Sequence, residues 1–167
     1  MISKWIKLSL CVLCLSTGGI GASAEERGSV TNLPLPRFVS IKAGEANVRR
    51  GPSLTHRVDW VFKARDLPVE ITAEHGHWRR VRDRDGVGGW VHHALLSGVR
   101  TAIVEKDLAG LHVRPEDAAP LRAQLEANVI GRLLNCDGEW CRMSVGGYRG
   151  WVKQAEVWGT YPGELVE

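Results

Sequence analysis

Two stretches of this chain repeat one another, and the repeat restricts the fold to two similar units. The segment HWRRV (77–81) matches EWCRM (139–143), and GGWVHHALLSG (88–98) matches RGWVKQAEVWG (149–159). The offsets are 62 and 61 residues, so a unit of about sixty residues occurs twice. Two matches in the same order and at nearly the same offset predict that both units have the same strands and turns.

The repeat also extends into the first part of each unit. The tripeptide NVR (47–49) aligns with HVR (112–114) at an offset of 65 residues, and a proline follows each, Pro52 and Pro115. The second copy lacks the R-x-G-P turn of the first. We therefore expect its first loop to be built differently.

Each copy has the pattern of short strands separated by turns. Every second residue is apolar along VDWVF (58–62) and VEITA (69–73), as in half-buried strands. The connection RDGVGG is rich in the Asp-Gly and Gly-Gly pairs of tight hairpins. Only residues 116–127 have a possible helical period, and Pro120 interrupts it. The sequence therefore predicts an all-β protein.

These motifs also carry a family resemblance. In the first copy they are ANVRRGPS (46–53), a W-x-x-V motif that begins at Trp78, and GWV (89–91). In the second copy they are LHVRPED (111–117), a W-x-x-M motif that begins at Trp140, and GWV (150–152).

With these motifs each copy resembles a bacterial SH3-like domain. The resemblance implies two tandem small, partly open β-barrels, which we place at residues 37–98 and 102–162. It also implies a non-catalytic recognition module, often found in exported proteins that meet the cell envelope. It does not name a ligand.

The N-terminal segment has the features of an export signal. Lys4 and Lys7 precede a short apolar run, and small residues follow up to Ala24. We therefore predict a signal peptide at residues 1–24 and a periplasmic or secreted mature protein. The apolar run is too short to span a bilayer. The polar, proline-containing residues 25–36 are predicted to form a flexible leader.

Removal of that segment leaves a chain with almost no net charge. Residues after 24 include 20 basic and 19 acidic side chains, so nucleic acid is not an expected partner. The charge is distributed unevenly, because residues 37–98 have a net charge of +4 and residues 101–167 have −3. No later apolar run is long enough to span a membrane. We expect a monomer or weak oligomer.

Cys136 and Cys141 are the only cysteines after residue 24. With the copies aligned, they occupy the positions of Glu74 and Arg79, which face each other across a predicted hairpin that turns at Gly138. Opposed residues of an antiparallel pair are close enough for a disulfide, and an exported protein meets an oxidising environment. We therefore predict a Cys136–Cys141 disulfide and, in the first copy, a Glu74–Arg79 ion pair.

Two other uses of these cysteines can be compared with the disulfide. Redox C-x-x-C pairs lie at a helix N-terminus, whereas this pair lies in a hairpin. A zinc site needs four ligands, and the histidines that could add to it are distant in sequence; they are His75, His77, His92 and His93. No Ser-His-Asp or Cys-His signature is present. We therefore expect no metal, no cofactor and no catalytic residue.

Aromatic residues supply the candidate binding site. Six tryptophans lie after residue 24, and some must fill the cores of such small barrels. The candidates for a shallow ligand-binding groove are Trp78, Arg80 and Trp90 in copy one and Trp140, Tyr148 and Trp151 in copy two. The alternatives are that these tryptophans are buried scaffold and that RRVRDRD (79–85) is a solvated strand edge.

The sequence thus predicts a non-enzymatic, exported binding or scaffold module. Its expected ligand is a cell-envelope component such as peptidoglycan or its peptide stems. One alternative is a protein–protein adaptor that binds an envelope protein in the periplasm. The other is a metal- or thiol-dependent hydrolase.

Overall fold

The structure, a computed structural model, describes residues 26–167 as two antiparallel sheets. The predicted signal peptide, residues 1–24, lies outside the described residues. The first sheet contains β1 (Arg37–Ile41), β2 (Ala46–Arg49), β3 (Val58–Phe62), β4 (Pro68–His75), β5 (Trp78–Arg82), β6 (Gly88–His92) and β7 (Leu96–Ser97). The second contains β8 (Thr101–Val104), β9 (Ala109–His112), β10 (Leu121–Leu125), β11 (Ile130–Asp137), β12 (Trp140–Val145), β13 (Tyr148–Lys153), β14 (Val157–Trp158) and β15 (Leu165–Val166).

Both sheets have the same strand order. The first runs β3-β2-β6-β5-β4-β1-β7, and the second runs β10-β9-β13-β12-β11-β8-β14, with β15 paired to β11. A single 3₁₀ turn precedes the last strand of each path, at His93–Leu95 and at Gln154–Glu156. The predicted all-β fold of two tandem SH3-like units is therefore confirmed, and we call the units barrel 1 and barrel 2.

The segment with a possible helical period, residues 116–127, forms a loop followed by β10. Pro120 ends the loop, and its carbonyl accepts a hydrogen bond from the amide of Val113 at 3.0 Å. Leu125 of β10 is buried in barrel 2. Pairing with β9 therefore prevails over the local helical pattern.

Each barrel has its own apolar core. The fully buried side chains of barrel 1 include Ile41, Val48, Val69 and Val91. Those of barrel 2 include Val104, Leu111, Cys141, Met143 and Val152. Because successive side chains of a strand point to opposite faces, the residues between these positions point outward. The candidate binding residues Arg80 and Trp90 therefore lie on the outer surface.

The strands correct one part of the sequence alignment. Ala46 pairs with Phe62 in barrel 1, and Ala109 pairs with Leu125 in barrel 2, which gives an offset of 63 residues rather than 65. His112 rather than Arg114 is thus the counterpart of Arg49. The alignment matched the Val-Arg pair that both tripeptides contain. The correct register is set instead by the inward-facing residues, Val48 in barrel 1 and Leu111 in barrel 2.

The segment predicted to be a flexible leader makes defined contacts in its described part. Arg27 and Pro34 form an isolated β-bridge. The backbone amides of Val30 and Thr31 donate hydrogen bonds to the carboxylate of Glu74, at 3.0 and 2.9 Å. The segment before β1 therefore packs against barrel 1, because a buried carboxylate attracts its free backbone amides.

The two barrels touch through the short connection between them. The hydroxyl of Ser40 donates a hydrogen bond to the carbonyl of Val99 at 2.8 Å, and that of Thr101 donates to the carbonyl of Asp66 at 2.7 Å. Part of the connection, from Thr101, is the first strand of barrel 2. The linker is thus partly a strand.

Candidate functional site

The outer surface of β2, β6 and β5 carries the predicted binding residues of barrel 1. Arg80 lies opposite Trp90, Trp78 lies opposite His92, and Arg49 lies on the other side of Trp90. Directly opposed residues point to the same side of a sheet. We call this set of five residues face 1.

The tryptophans of face 1 differ in how accessible they are. Trp78 is only 9% exposed, with its ring edge-on to that of His92 at 5.4 Å between centroids. Trp90 is half-buried and Arg80 is exposed. Trp78 therefore supports the surface, and Trp90 and Arg80 are the residues that a ligand can reach.

Barrel 2 has an equivalent surface, which we call face 2. Its residues are His112, Trp140, Arg142, Trp151 and Lys153. Arg142 lies opposite Trp151, Trp140 lies opposite Lys153, and His112 lies on the other side of Trp151. Arg142 and Trp151 thus occupy the positions of Arg80 and Trp90.

The Trp140 side of face 2 is covered by other side chains. The ammonium group of Lys153 lies 5.5 Å from the centre of the Trp140 ring, and Asp117 pairs with Lys153 at 2.6 Å. The hydrogen bond to Asp117 raises the pKa of Lys153, so this cation stays charged. The accessible part of face 2 is therefore Trp151 with Arg142.

Tyr148 is the one predicted binding residue that lies outside these two faces. It is 59% exposed at the start of β13, opposite Val145. Tyr148 and Trp151 are three positions apart on one strand, so their side chains point to opposite faces. Sequence analysis grouped them because it did not apply the alternation of side chains along the strand that contains both residues.

The two cysteines form the predicted disulfide. Cys136 lies opposite Cys141, with an S–S distance of 2.06 Å. The carboxylate of Asp137 accepts hydrogen bonds from the amides of Glu139 and Trp140, at 3.0 and 2.8 Å, and closes the turn. The hairpin prediction is confirmed, and the cysteines are part of the barrel 2 core.

The equivalent position in barrel 1 holds a buried ionic cluster around Glu74. The predicted Glu74–Arg79 pair is present at 3.5 Å, but a shorter contact of 2.6 Å joins Glu74 to Arg37. Burial favours a raised pKa for Glu74, but hydrogen bonds from Thr31, Arg37 and the backbone outweigh it and lower the pKa to about 2. Glu74 therefore remains a carboxylate and fixes the segment before β1.

A histidine cluster that sequence analysis did not place adjoins face 1 and shares His92 with it. The ring centroids of His77, His92 and His93 are 4.9 to 5.9 Å apart. Burial, followed by the nearby charges of His92, Arg79 and His77, lowers the pKa of His93. The pairing of β5 with β6 brings the HGH motif (75–77) next to the HH motif (92–93). That pairing could have predicted the cluster from the sequence. Within residues 26–167 no group of three potential ligands could hold a metal ion.

Sequence analysis also missed the cleft between the barrels. The ring of Phe38 lies 4.9 Å from Trp158 and 4.8 Å from Tyr161, between ring centroids. The phenol of Tyr161 donates a hydrogen bond to Glu70 of barrel 1 at 2.8 Å. Burial and this carboxylate raise the pKa of Tyr161, so the phenol keeps its proton.

The family assignment follows from two matches in the sequence. The family described as bacterial SH3 domain matches residues 42–98 and residues 105–159. These matches begin 63 residues apart, which is the offset of the strands. The chain belongs to the bacterial SH3 domain family.

Comparison with solved structures adds two similar chains, both from Trichomonas vaginalis. The structure of NlpC2 is 19% identical, with a TM-score of 0.34, and the match covers 75% of this chain and 48% of that one. The structure of NlpC1 is 16% identical, with a TM-score of 0.35, and the match covers 80% and 49%. This chain thus spans about half of each. No curated protein matches the sequence. At these values the two likenesses carry no functional information.

Membership of the bacterial SH3 domain family gives a coarse function. This domain is typically a binding domain, so the coarse function that the family gives is binding. The bacterial SH3 domains and the disulfide together indicate an extracellular location. Residues 26–167 contain no helix that is long and apolar enough to cross a membrane.

Proposed function

We propose that this chain is an exported, non-enzymatic module that recognises peptidoglycan or its peptide stems through face 1 and face 2. One observation carries the proposal. Each barrel presents an arginine opposite a half-buried tryptophan at the same place in the fold, Arg80 with Trp90 and Arg142 with Trp151. A surface that appears twice in this form is suited to a repetitive ligand.

The chemistry of the pair fits such a ligand. Within residues 26–167, neither Arg80 nor Arg142 has a side-chain ion pair or hydrogen bond, so both guanidinium groups are free to bind carboxylates of a peptide stem. The adjacent tryptophan offers an apolar ring to a sugar face or an aliphatic side chain. Two such sites on one chain also raise the overall affinity for a polymer through effective concentration.

Isolated sacculi provide the test, with bound protein measured after sedimentation. We expect Trp90→Ala or Trp151→Ala to weaken binding roughly fivefold to thirtyfold, as for a central aromatic contact. The double variant should bind less than either single variant. Arg65→Ala is the matched control, because Arg65 is exposed in barrel 1 and lines a separate cavity with Lys42 and Thr101. Wild-type protein that stays in the supernatant would contradict the proposal.

A protein-adaptor function is favoured by exposed apolar residues on and next to β3, one of which, Val58, lies opposite Arg49 of face 1. Leu54, Val58 and Trp60 of barrel 1 are 74%, 36% and 50% exposed, which is unusual for three large apolar residues so near each other. At the 63-residue offset, Ala123 replaces Trp60 in barrel 2. An envelope protein bound there should co-purify with the wild type and with the Trp90→Ala variant but not with Trp60→Ala. Equal recovery with all three would exclude this surface.

A further inference from the structure

The cleft between the barrels has the size and walls of a small-ligand site. Its volume is about 650 Å³, within the range of ligand pockets. Trp158 and Tyr161 form an aromatic wall, and Phe38, which is 6% exposed, supports both rings from behind. Neither face 1 nor face 2 contributes to this cleft.

Both cations that line the cleft are already engaged. Arg82 pairs with Glu70, which also accepts the hydrogen bond of Tyr161. Arg84 donates a hydrogen bond to the side-chain carbonyl of Asn128 and lies 3.8 Å from the carboxylate of Asp85. Among residues 26–167 the cleft therefore has no free cation that would attract an anionic ligand.

The carboxylates of the cleft differ in whether they are engaged. Asp83 is engaged, because its carboxylate accepts hydrogen bonds from the amides of Asp85 and Val87, at 3.0 and 2.8 Å. Within the described part of the chain, Glu105 and Glu139 line the cleft with no side-chain ion pair or hydrogen bond, although the charge of Glu139 also acts on Lys153. The free charge of the cleft is therefore negative.

We propose that this cleft binds the primary ammonium group of a peptide, with the aliphatic chain that bears the group against Trp158 and Tyr161. Free carboxylates at the rim bind the ammonium, and an aromatic wall adds attraction for a cation and apolar contact for its methylene groups. The ligand class is a peptide with a lysine-like side chain. The inference rests on the cleft itself and does not depend on what face 1 and face 2 bind.

The test uses a blocked tripeptide, N-acetyl-Ala-Lys-Ala-amide, and the same peptide with an Nε-acetylated lysine. Binding is followed by NMR through the indole N–H of Trp158, which a Trp158→Phe variant assigns. We expect the lysine peptide to shift this signal and the acetylated peptide to bind at least fivefold more weakly. Equal binding of both peptides, or no shift with the lysine peptide, would overturn the proposal.

Substitutions test whether the free carboxylates of the cleft bind the ammonium group. Glu105→Gln and Glu139→Gln should each weaken binding of the lysine peptide at least threefold. Both glutamates are exposed, so these variants should fold. Glu126→Gln, which removes an exposed carboxylate outside the cleft, is the matched control and should bind like the wild type. Unchanged affinity in both cleft variants would refute the inference. Sacculus binding should stay intact in them, so a failure of the cleft inference is distinct from a failure of the proposed function.

Discussion

Replacing Glu74 with glutamine removes the charge at the centre of the ionic cluster in barrel 1. The Glu74 side chain is completely buried. Its carboxylate accepts hydrogen bonds from the Thr31 hydroxyl at 2.7 Å and from Arg37 at 2.6 Å, in addition to the two backbone amides. A glutamine of the same shape keeps an oxygen acceptor but turns an amide donor towards these donors. The variant therefore leaves either the two backbone amides or the Thr31 hydroxyl and Arg37 without their acceptor.

The pKa of Glu74 gives the size of the effect. The pKa falls from its ordinary 4.5 to about 2 in the folded protein. At about 1.4 kcal/mol per pH unit, the charged form contributes roughly 3 kcal/mol to the free energy of unfolding at neutral pH. Because the folded pKa lies below the unfolded value, this stability is fully present above about pH 5. It is lost as the pH falls towards 2.

The assay is urea unfolding of the wild type and Glu74→Gln at several pH values. We expect the variant to be about 3 kcal/mol less stable at pH 7, with the difference shrinking between pH 5 and pH 2. Hydrogen exchange at Val30 and Thr31 should also become faster. Glu45→Gln is the control, because Glu45 is exposed in the same barrel. A difference that does not change with pH would show that the charge of Glu74 does not stabilise barrel 1.

Two further predictions follow from the disulfide and the histidine cluster. Reduction of Cys136–Cys141 should lower the free energy of unfolding by about 2 kcal/mol while the fold persists, because the closed loop is very short. Circular dichroism during urea unfolding measures this loss, and a reduced protein that is unfolded in buffer would contradict the prediction. NMR titration should show that His93 has a pKa below 6.5 and that His77→Ala raises it; a His93 pKa above 6.5 in the wild type would contradict the packing of the cluster.

The repeat and the disulfide could be predicted because both depend on short segments. A hairpin turn with Asp137 and Gly138 fixes which residues oppose each other, so Cys136 and Cys141 could be paired from spacing and alignment alone. The 65-residue alignment of the first strands was wrong because two identical letters outweighed the inward-facing positions. Tyr148 was grouped with Trp151 for a similar reason, since strand parity was not considered.

The cleft could not be found in the sequence. Phe38, Glu70 and Tyr161 lie far apart along the chain, and they meet only because the barrels pack against each other. The role of Glu74 was likewise only half predicted. Its partner Arg79 is local, whereas Arg37 and Thr31 reach it through the fold of the segment before β1.

The most direct test of the central claim is a fluorescence titration with soluble muropeptides. Recognition through face 1 and face 2 predicts a saturable change in tryptophan emission that is reduced in the Trp90→Phe and Trp151→Phe variants and retained in the Trp60→Phe variant. An emission change that persists when both Trp90 and Trp151 are replaced, or no change in the wild type, would contradict the claim that face 1 and face 2 recognise the cell wall.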